Sequence, residues 1–403
     1  MSISEEEIEA VSNWWDSCES IEINPALRQY KKEEQDQIKN GDGFILLHTM
    51  HPNLEQIVVS DLVSVMSHDD LLINAKKFRT HLQWVVMELM IYGLLGFNPI
   101  CIGPNVEFLN LSYMCVDDLL DQREIPQEDK KKFLLYCRSR ISTDFSLSLI
   151  QDKNKDKCKG SLKKSIESFD SIVSWIQSVN TSFFNNKSME GTQIFGCISQ
   201  MFDIEFQQLE NTPELSPREL LKQTICKGAF TFNLLVKMIL LDMQQTSEKL
   251  SNHKVLSQDL ICKIGFITQM LDDLCDIKED QYNQNVTYPI LLLKHQWSFD
   301  MFIIKLFNSI ESIWTQFMYE HGFDQPSIPC EMGLCLKTTL LNVLFLGVHD
   351  RQIYETYSPF SFKYLSHLKI KSYIHCYLLY LYFRWYLRIR IWVIEKLMCM
   401  RLI

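Results

Sequence analysis

Glycine and proline are scarce, 13 and 11 in 403 residues, and no stretch rich in either divides the chain. That argues against two domains joined by a linker, and with 46% hydrophobic residues it predicts long helices around one substantial core. The 13 cysteines include no CxxC pair and no framework spacing, which argues against a zinc module or a disulfide scaffold; they read as reduced, buried thiols of an intracellular protein. A net charge of −10 disfavours nucleic acid as a partner. The N-terminus, Met1-Ser-Ile-Ser-Glu-Glu-Glu-Ile, carries no basic, apolar leader. Neither a secretory nor a mitochondrial address is therefore expected, and the cytoplasm is the default compartment.

What is present is a pair of acidic stretches, Asp117-Asp118-Leu119-Leu120-Asp121 and Asp272-Asp273-Leu274-Cys275-Asp276. In a helix, residues four apart share a face, so Asp117 pairs with Asp121 and Asp272 with Asp276. Carboxylates so close stay ionised only with cations between them. Hard oxygen donors without matching His or Cys suit Mg²⁺ held together with phosphate, so a phosphate ester is the expected substrate. A solvated helix face is the alternative for either stretch alone. Apolar flanks count against it, since Leu109, Leu111, Tyr113, Met114, Cys115 and Val116 precede the first run, and Ile264, Phe266, Ile267, Met270 and Leu271 the second.

These motifs resemble those of the trans-isoprenyl diphosphate synthases, an all-α family whose two DDxxD motifs face each other across a deep apolar pocket. The closer match is Gly265-Phe-Ile-Thr-Gln269-Met-Leu-Asp272-Asp273-Leu-Cys-Asp276, followed by Glu279-Asp280 and by Thr287-Tyr288-Pro289, similar to the family's T-L-P. The likeness covers roughly residues 70 to 300. One departure is Asn285, where the family has a Lys.

Ala75-Lys76-Lys77-Phe78-Arg79-Thr80 resembles the family's G-K-x-x-R-P, which implies that Lys76 and Arg79 grip isopentenyl diphosphate. Plain surface charge is the other reading of these cations. Glu107 and Asn110 fall where the family has Glu and commonly His or Gln, so Asn110 joins the same subsite by resemblance. After Asp121 the family's R-R-G-x-P is reduced to Gln122-Arg123-Glu124-Ile125-Pro126, which leaves Arg123 alone for the diphosphate and costs a bidentate contact. Gln200-Met201-Phe202-Asp203 resembles G-Q-x-x-D, and Cys226-Lys227-Gly228 resembles K-T-G. By that likeness Lys227 binds the allylic diphosphate, supported by Gln269. Without the series, Lys227 would read as a snorkelling lysine.

Elsewhere the chain offers less chemistry. Residues 1–70 are read as an N-terminal helical and irregular region in which Ser4 before Glu5 to Glu7 caps a helix, and His48 and His51 beside Pro52 read as a loop. Residues 71–358 are read as the catalytic bundle. Within it, 151–164 is expected to be a polar, exposed insertion, and Ser216-Pro217-Arg218-Glu219 a helix start. Residues 359–403 form a basic, aromatic tail: from 360 onward it carries +7, leaving −17 for the rest. The longest uncharged stretch there, Ser372 to Phe383, is too short to span a bilayer. The tail is either a helix lying on a membrane surface or foreign to the core.

The expected architecture is thus all-α: a single large helical bundle with a central apolar pocket and two facing Asp-rich helices. The resemblance implies a short-chain prenyltransferase that condenses an allylic diphosphate with isopentenyl diphosphate, acting as a homodimer. Asp117, Asp118, Asp121, Asp272, Asp273 and Asp276 are the catalytic set, with Asp117, Asp121, Asp272 and Asp276 holding about three Mg²⁺. Tyr113 lies one turn before Asp117, so its ring is placed in the pocket as a floor that limits chain length, or else between helices. A class I terpene synthase that cyclises the same substrate is the runner-up, favoured by the reduced arginine pair. A non-catalytic subunit of a heteromeric synthase is a third reading, disfavoured because all six aspartates are present.

Overall fold

The computed structural model describes residues 3–18, 88, 91–97, 103–120, 122, 124–141, 161–179, 189–209, 215–245, 256–294 and 299–321, with 333, 336, 337, 340, 343 and 344. Lys76, Arg79, Asp121, Arg123, the side chain of Asp118, both histidines of the N-terminal region and the basic tail lie outside them. Among the described residues every regular element is an α-helix: α1 (Glu5–Ser17), α2 (Pro104–Leu120), α3 (Gln127–Ile141), α4 (Ser161–Val179), α5 (Met189–Gln208), α6 (Pro217–Gln245), α7 (Gln258–Cys275), α8 (Ile277–Asn283), α9 (Tyr288–Lys294) and α10 (Phe299–His321).

Local chemistry sets several of the starts. Ser4 and Glu7 form a reciprocal capping box at α1: the Ser4 hydroxyl accepts from the Glu7 amide at 3.2 Å, and Glu7 accepts from the Ser4 amide at 2.7 Å. Ser216 and Glu219 repeat the arrangement at 3.2 and 2.9 Å, with Pro217 in the first helical position of α6. Residues 161–164, expected in the polar insertion, instead open α4.

The 29 residues of α6 form the axis of the bundle, which packs α1, α2, α5, α7 and α9 around it. Its broadest contact is with α7. There Gly228 meets Gly265 so closely that a Cβ on Gly265 would stand 2.3 Å from the Gly228 carbonyl oxygen, and one on Gly228 2.4 Å from that of Gly265. A Cβ on Gly265 would also meet Phe232, and one on Gly228 would meet Gln269, so numbering rises along α6 as it falls along α7 and the two run antiparallel. The pairs Gln127 with Leu209 and Arg138 with Asp203 show the same for α3 and α5. Backbone on both sides leaves no soft neighbour to yield. Gly265→Ala is therefore expected to cost about 1–3 kcal/mol by overpacking, read as a fall in denaturation midpoint.

Helix α2 is pinned at both ends. Asp242 of α6 accepts from the Asn105 side-chain amide at 2.6 Å and from the Asn105 and Val106 backbone amides at 3.3 and 3.2 Å, satisfying first-turn donors and meeting the positive end of the helix dipole. Gly103 leaves room for that carboxylate, since a Cβ there would fall 2.2 Å from it. At the other end the Lys130 ammonium of α3 donates to the Leu120 carbonyl. Because the α2 N-terminus lies beside Asp242, late in α6, and Tyr113 beside Lys227, early in α6, these helices are antiparallel too.

The first helix belongs to the same core. Trp15 is 1% exposed and meets Phe266 of α7 edge-on at 5.3 Å and Phe302 of α10 at 6.2 Å, while Glu9 pairs with Arg218 and Lys222 of α6. A small hollow between α7 and α10, lined by Ile264, Ile310, Ile313, Trp314, Phe317 and Lys337, contains none of the residues singled out for chemistry. Of the described cysteines, Cys18, Cys115, Cys137 and Cys262 are buried, Cys226 is half-buried and Cys275 exposed. One described stretch, Pro217–Met243, is long and apolar enough to cross a membrane, and most of it is buried within the bundle.

Candidate functional site

Asp117 and Asp272 stand near the ends of helices whose preceding apolar residues are largely buried. Leu109, Leu111, Cys115 and Val116 of α2 are buried, as are Ile264, Phe266, Ile267, Met270 and Leu271 of α7, whereas Asp117 and Asp272 keep accessible surface. The apolar residues fix each helix in the core, and Asp117 and Asp272 reach solvent near the ends of α2 and α7.

The fold brings the two stretches into one electrostatic field. Desolvation, then Asp276, Asp273 and Asp117, drive the Asp272 carboxyl above the ordinary range, against the opposing pull of Lys227, while the side chain keeps contact with solvent. Asp117 stands on α2 and the other three belong to the second motif. Burial pushes Asp273 up to about 7, opposed by the Gln269 side-chain amide, which donates to Asp273 at 2.8 Å and to Asp272 at 3.5 Å. Among the described residues no three His, Cys, Asp or Glu side chains stand close enough to hold a metal ion by themselves. A divalent cation held by one or two carboxylates, with phosphate oxygens completing its shell, suits such a donor set.

Lys227 of α6 lies within the field of both motifs. Its ammonium is 3.1 Å from Glu205 Oε1, 3.4 Å from Glu205 Oε2 and 3.1 Å from Gln208 Oε1, and 6.0 Å from the centre of the Tyr113 ring. Burial alone would push Lys227 down, but Glu205, Tyr113, Asp117 and Asp273 outweigh it and hold the group well above its ordinary value. The Tyr113 hydroxyl lies 3.4 Å from Glu205 Oε1, and desolvation raises it well above the usual phenol range. Tyr113 therefore contacts the lysine and α5, on the site side of α2.

Other expected residues are placed elsewhere. Asn110 is buried and donates to the carboxylate of Glu88, itself buried. Asp203 pairs with Arg138 at 2.7 Å on the outer face of α5 and α3, so the acid of the Q-x-x-D stretch is not directed at Lys227. Asn285, standing where the family has a Lys, donates to Asp280 at 3.0 Å beside the left-handed turn at Gln284, φ 63°.

Glu205, Gln208 and Asp242 were not singled out by their sequence pattern. A signal existed: Ile198, Met201, Phe202 and Glu205 form one buried stripe at helical spacing, and a carboxylate in such a stripe requires a partner. Asp242 likewise interrupts the apolar run around Met238 to Met243.

Burial pushes Asp242 up to about 7 from 3.8, against the pull of its three N–H donors. A folded value above the unfolded one means that folding favours the protonated acid. The stabilising contribution is complete below about pH 4 and is lost as pH rises to about 7, with a slope of up to about 1.4 kcal/mol per pH unit. Asp242→Asn is expected to flatten that part of the stability curve, measured by chemical denaturation at stepped pH.

Neither a family model, nor a curated protein, nor a solved structure matches the chain.

Proposed function

We propose that the protein ionises an allylic prenyl diphosphate with Mg²⁺ and couples the resulting cation to isopentenyl diphosphate. The observation that supports this reading is that Asp117, on a helix far from the second motif in sequence, lies within electrostatic reach of both Asp272 and Lys227. Asp117, Asp272 and Asp276, with Asp121, would hold the metal, which when bound neutralises the departing pyrophosphate. Lys227 takes a diphosphate oxygen, and Gln269 orients Asp272 and Asp273. The apolar flanks of α2 and α7 exclude water from the cation. Lys76 and Arg79 hold the second diphosphate in this scheme, with Arg123 beside the first. A central apolar pocket, a homodimer and a cytoplasmic setting, with the basic tail against a membrane surface, belong to the same proposal.

The engagement of Asn110 by Glu88 favours a second reading, in which no second diphosphate is held and the ionised substrate cyclises. Incubation with radiolabelled isopentenyl diphosphate and Mg²⁺, with and without an allylic partner, tests the choice: label in a longer diphosphate supports condensation. Hydrocarbon formed from the allylic substrate alone supports cyclisation, and no turnover of either substrate overturns both. With the Tyr113 ring against Lys227, the condensing enzyme is expected to make products of fifteen or twenty carbons, on the family pattern. Tyr113→Ala should lengthen them by one or more five-carbon units, read by chromatography of the dephosphorylated alcohols.

A further inference from the structure

Lys227 already has an anion against it, the Glu205 carboxylate. The Lys227 ammonium donates to Glu205 Oε2 at 3.4 Å and to Gln208 Oε1 at 3.1 Å, and forms an ion pair with Glu205 Oε1 at 3.1 Å. Both acceptor residues sit on α5 and the lysine on α6, so the contact is built between two helices rather than made by chance at a surface. The side chains are 12% exposed for Lys227 and 7% for Glu205. A diphosphate bound beside Asp117 and Asp273 needs the same ammonium.

We infer that Glu205 and Gln208 stand in for the diphosphate on Lys227 in the empty protein, and that the ligand binds by taking the ammonium from them. The inference rests on the diphosphate reading above and adds two positioning residues that set affinity. A buried lysine with no partner is strongly destabilising, so an internal carboxylate lets the site fold empty. The same carboxylate weakens ligand binding, because a diphosphate gains only the difference between its own contacts and those that it displaces. A pair whose role is purely structural would act differently: its loss would lower stability and leave pyrophosphate affinity unchanged or weaker.

The test is isothermal titration of the full chain with inorganic pyrophosphate at saturating Mg²⁺, paired with thermal melts of the empty protein. Glu205→Gln is expected to melt lower than wild type when empty and to bind pyrophosphate on the order of tenfold more tightly, within the usual range of coupling between two events at one site. In turnover the gain should fall on KM rather than kcat. Gln208→Leu removes an acceptor without changing charge, so a smaller gain there separates the release of the ammonium from a general loss of negative charge. It also keeps the test decisive if Glu205→Gln does not fold. Adding Lys227→Met to either variant should abolish the gain. Wild-type binding with no tightening in whichever of the two variants folds overturns the inference and leaves the diphosphate reading standing. Absence of pyrophosphate binding by wild type and variants alike overturns both.

Discussion

Asp272→Asn is expected to make the empty protein more stable and nearly inactive. The Asp272 carboxyl is held well above its ordinary range by desolvation, then by Asp276, Asp273 and Asp117. At neutral pH the folded chain must therefore either keep a proton there or bear the repulsion, and both destabilise it relative to the unfolded chain, in which the acid ionises freely. An amide removes that penalty. It also removes a charge that would hold the metal and the departing pyrophosphate, and a single preorganised group of this kind is worth on the order of a hundredfold in rate. Asp117→Asn should show the same loss. Near-full turnover in both variants, with helicity confirmed by circular dichroism, would sink the shared-metal reading. Loss of activity with a lower melting temperature for Asp272→Asn would instead show that the carboxylate supports the fold. Stability gained where function is lost is the mark of a site kept strained for its ligand.

The helical class and the burial of the apolar residues ahead of Asp117 and Asp272 were legible because they depend on local rules. Ser4 with Glu7 and Ser216 with Glu219 cap the helices that their spacing announces, and the apolar residues before Asp117 and Asp272 are the ones that bury α2 and α7. Pairing between distant segments was harder to read. Asp242 caps α2 from 136 or more residues away, and Lys130 closes its other end, contacts that no local pattern encodes. The Q-x-x-D stretch shows why order along the chain is a poor guide to direction. Asp203 and Glu205 are two residues apart, about 200° around a helix, so when one faces Arg138 in solvent the other faces Lys227. The motif drew attention to the outward acid, whereas the inward one is marked by the buried stripe of Ile198, Met201 and Phe202.

Lys227→Met should separate what the lysine does for the fold from what it does for the chemistry. Removing the ammonium leaves Glu205 as a carboxylate without its counter-charge at 7% exposure, with the Tyr113 hydroxyl 3.4 Å away. Breaking a buried pair in this way costs about 3–5 kcal/mol. Replacing both partners costs far less, because two apolar side chains of similar size need no compensating charge. Lys227→Met with Glu205→Leu is therefore expected to melt close to wild type. Activity should not follow stability: the double variant still lacks the cation under Asp117 and Asp273, so turnover is expected to stay at least about a hundredfold down. Denaturant midpoints for the wild type, both single variants and the double variant complete the cycle, and a coupling energy of several kcal/mol is the expected outcome. If the double variant is both stable and active, Lys227 is a structural residue and the diphosphate is held by other groups. If the single Lys227→Met variant is as stable as wild type, the Glu205 carboxylate is not committed to the lysine, and the stand-in role inferred for it fails as well.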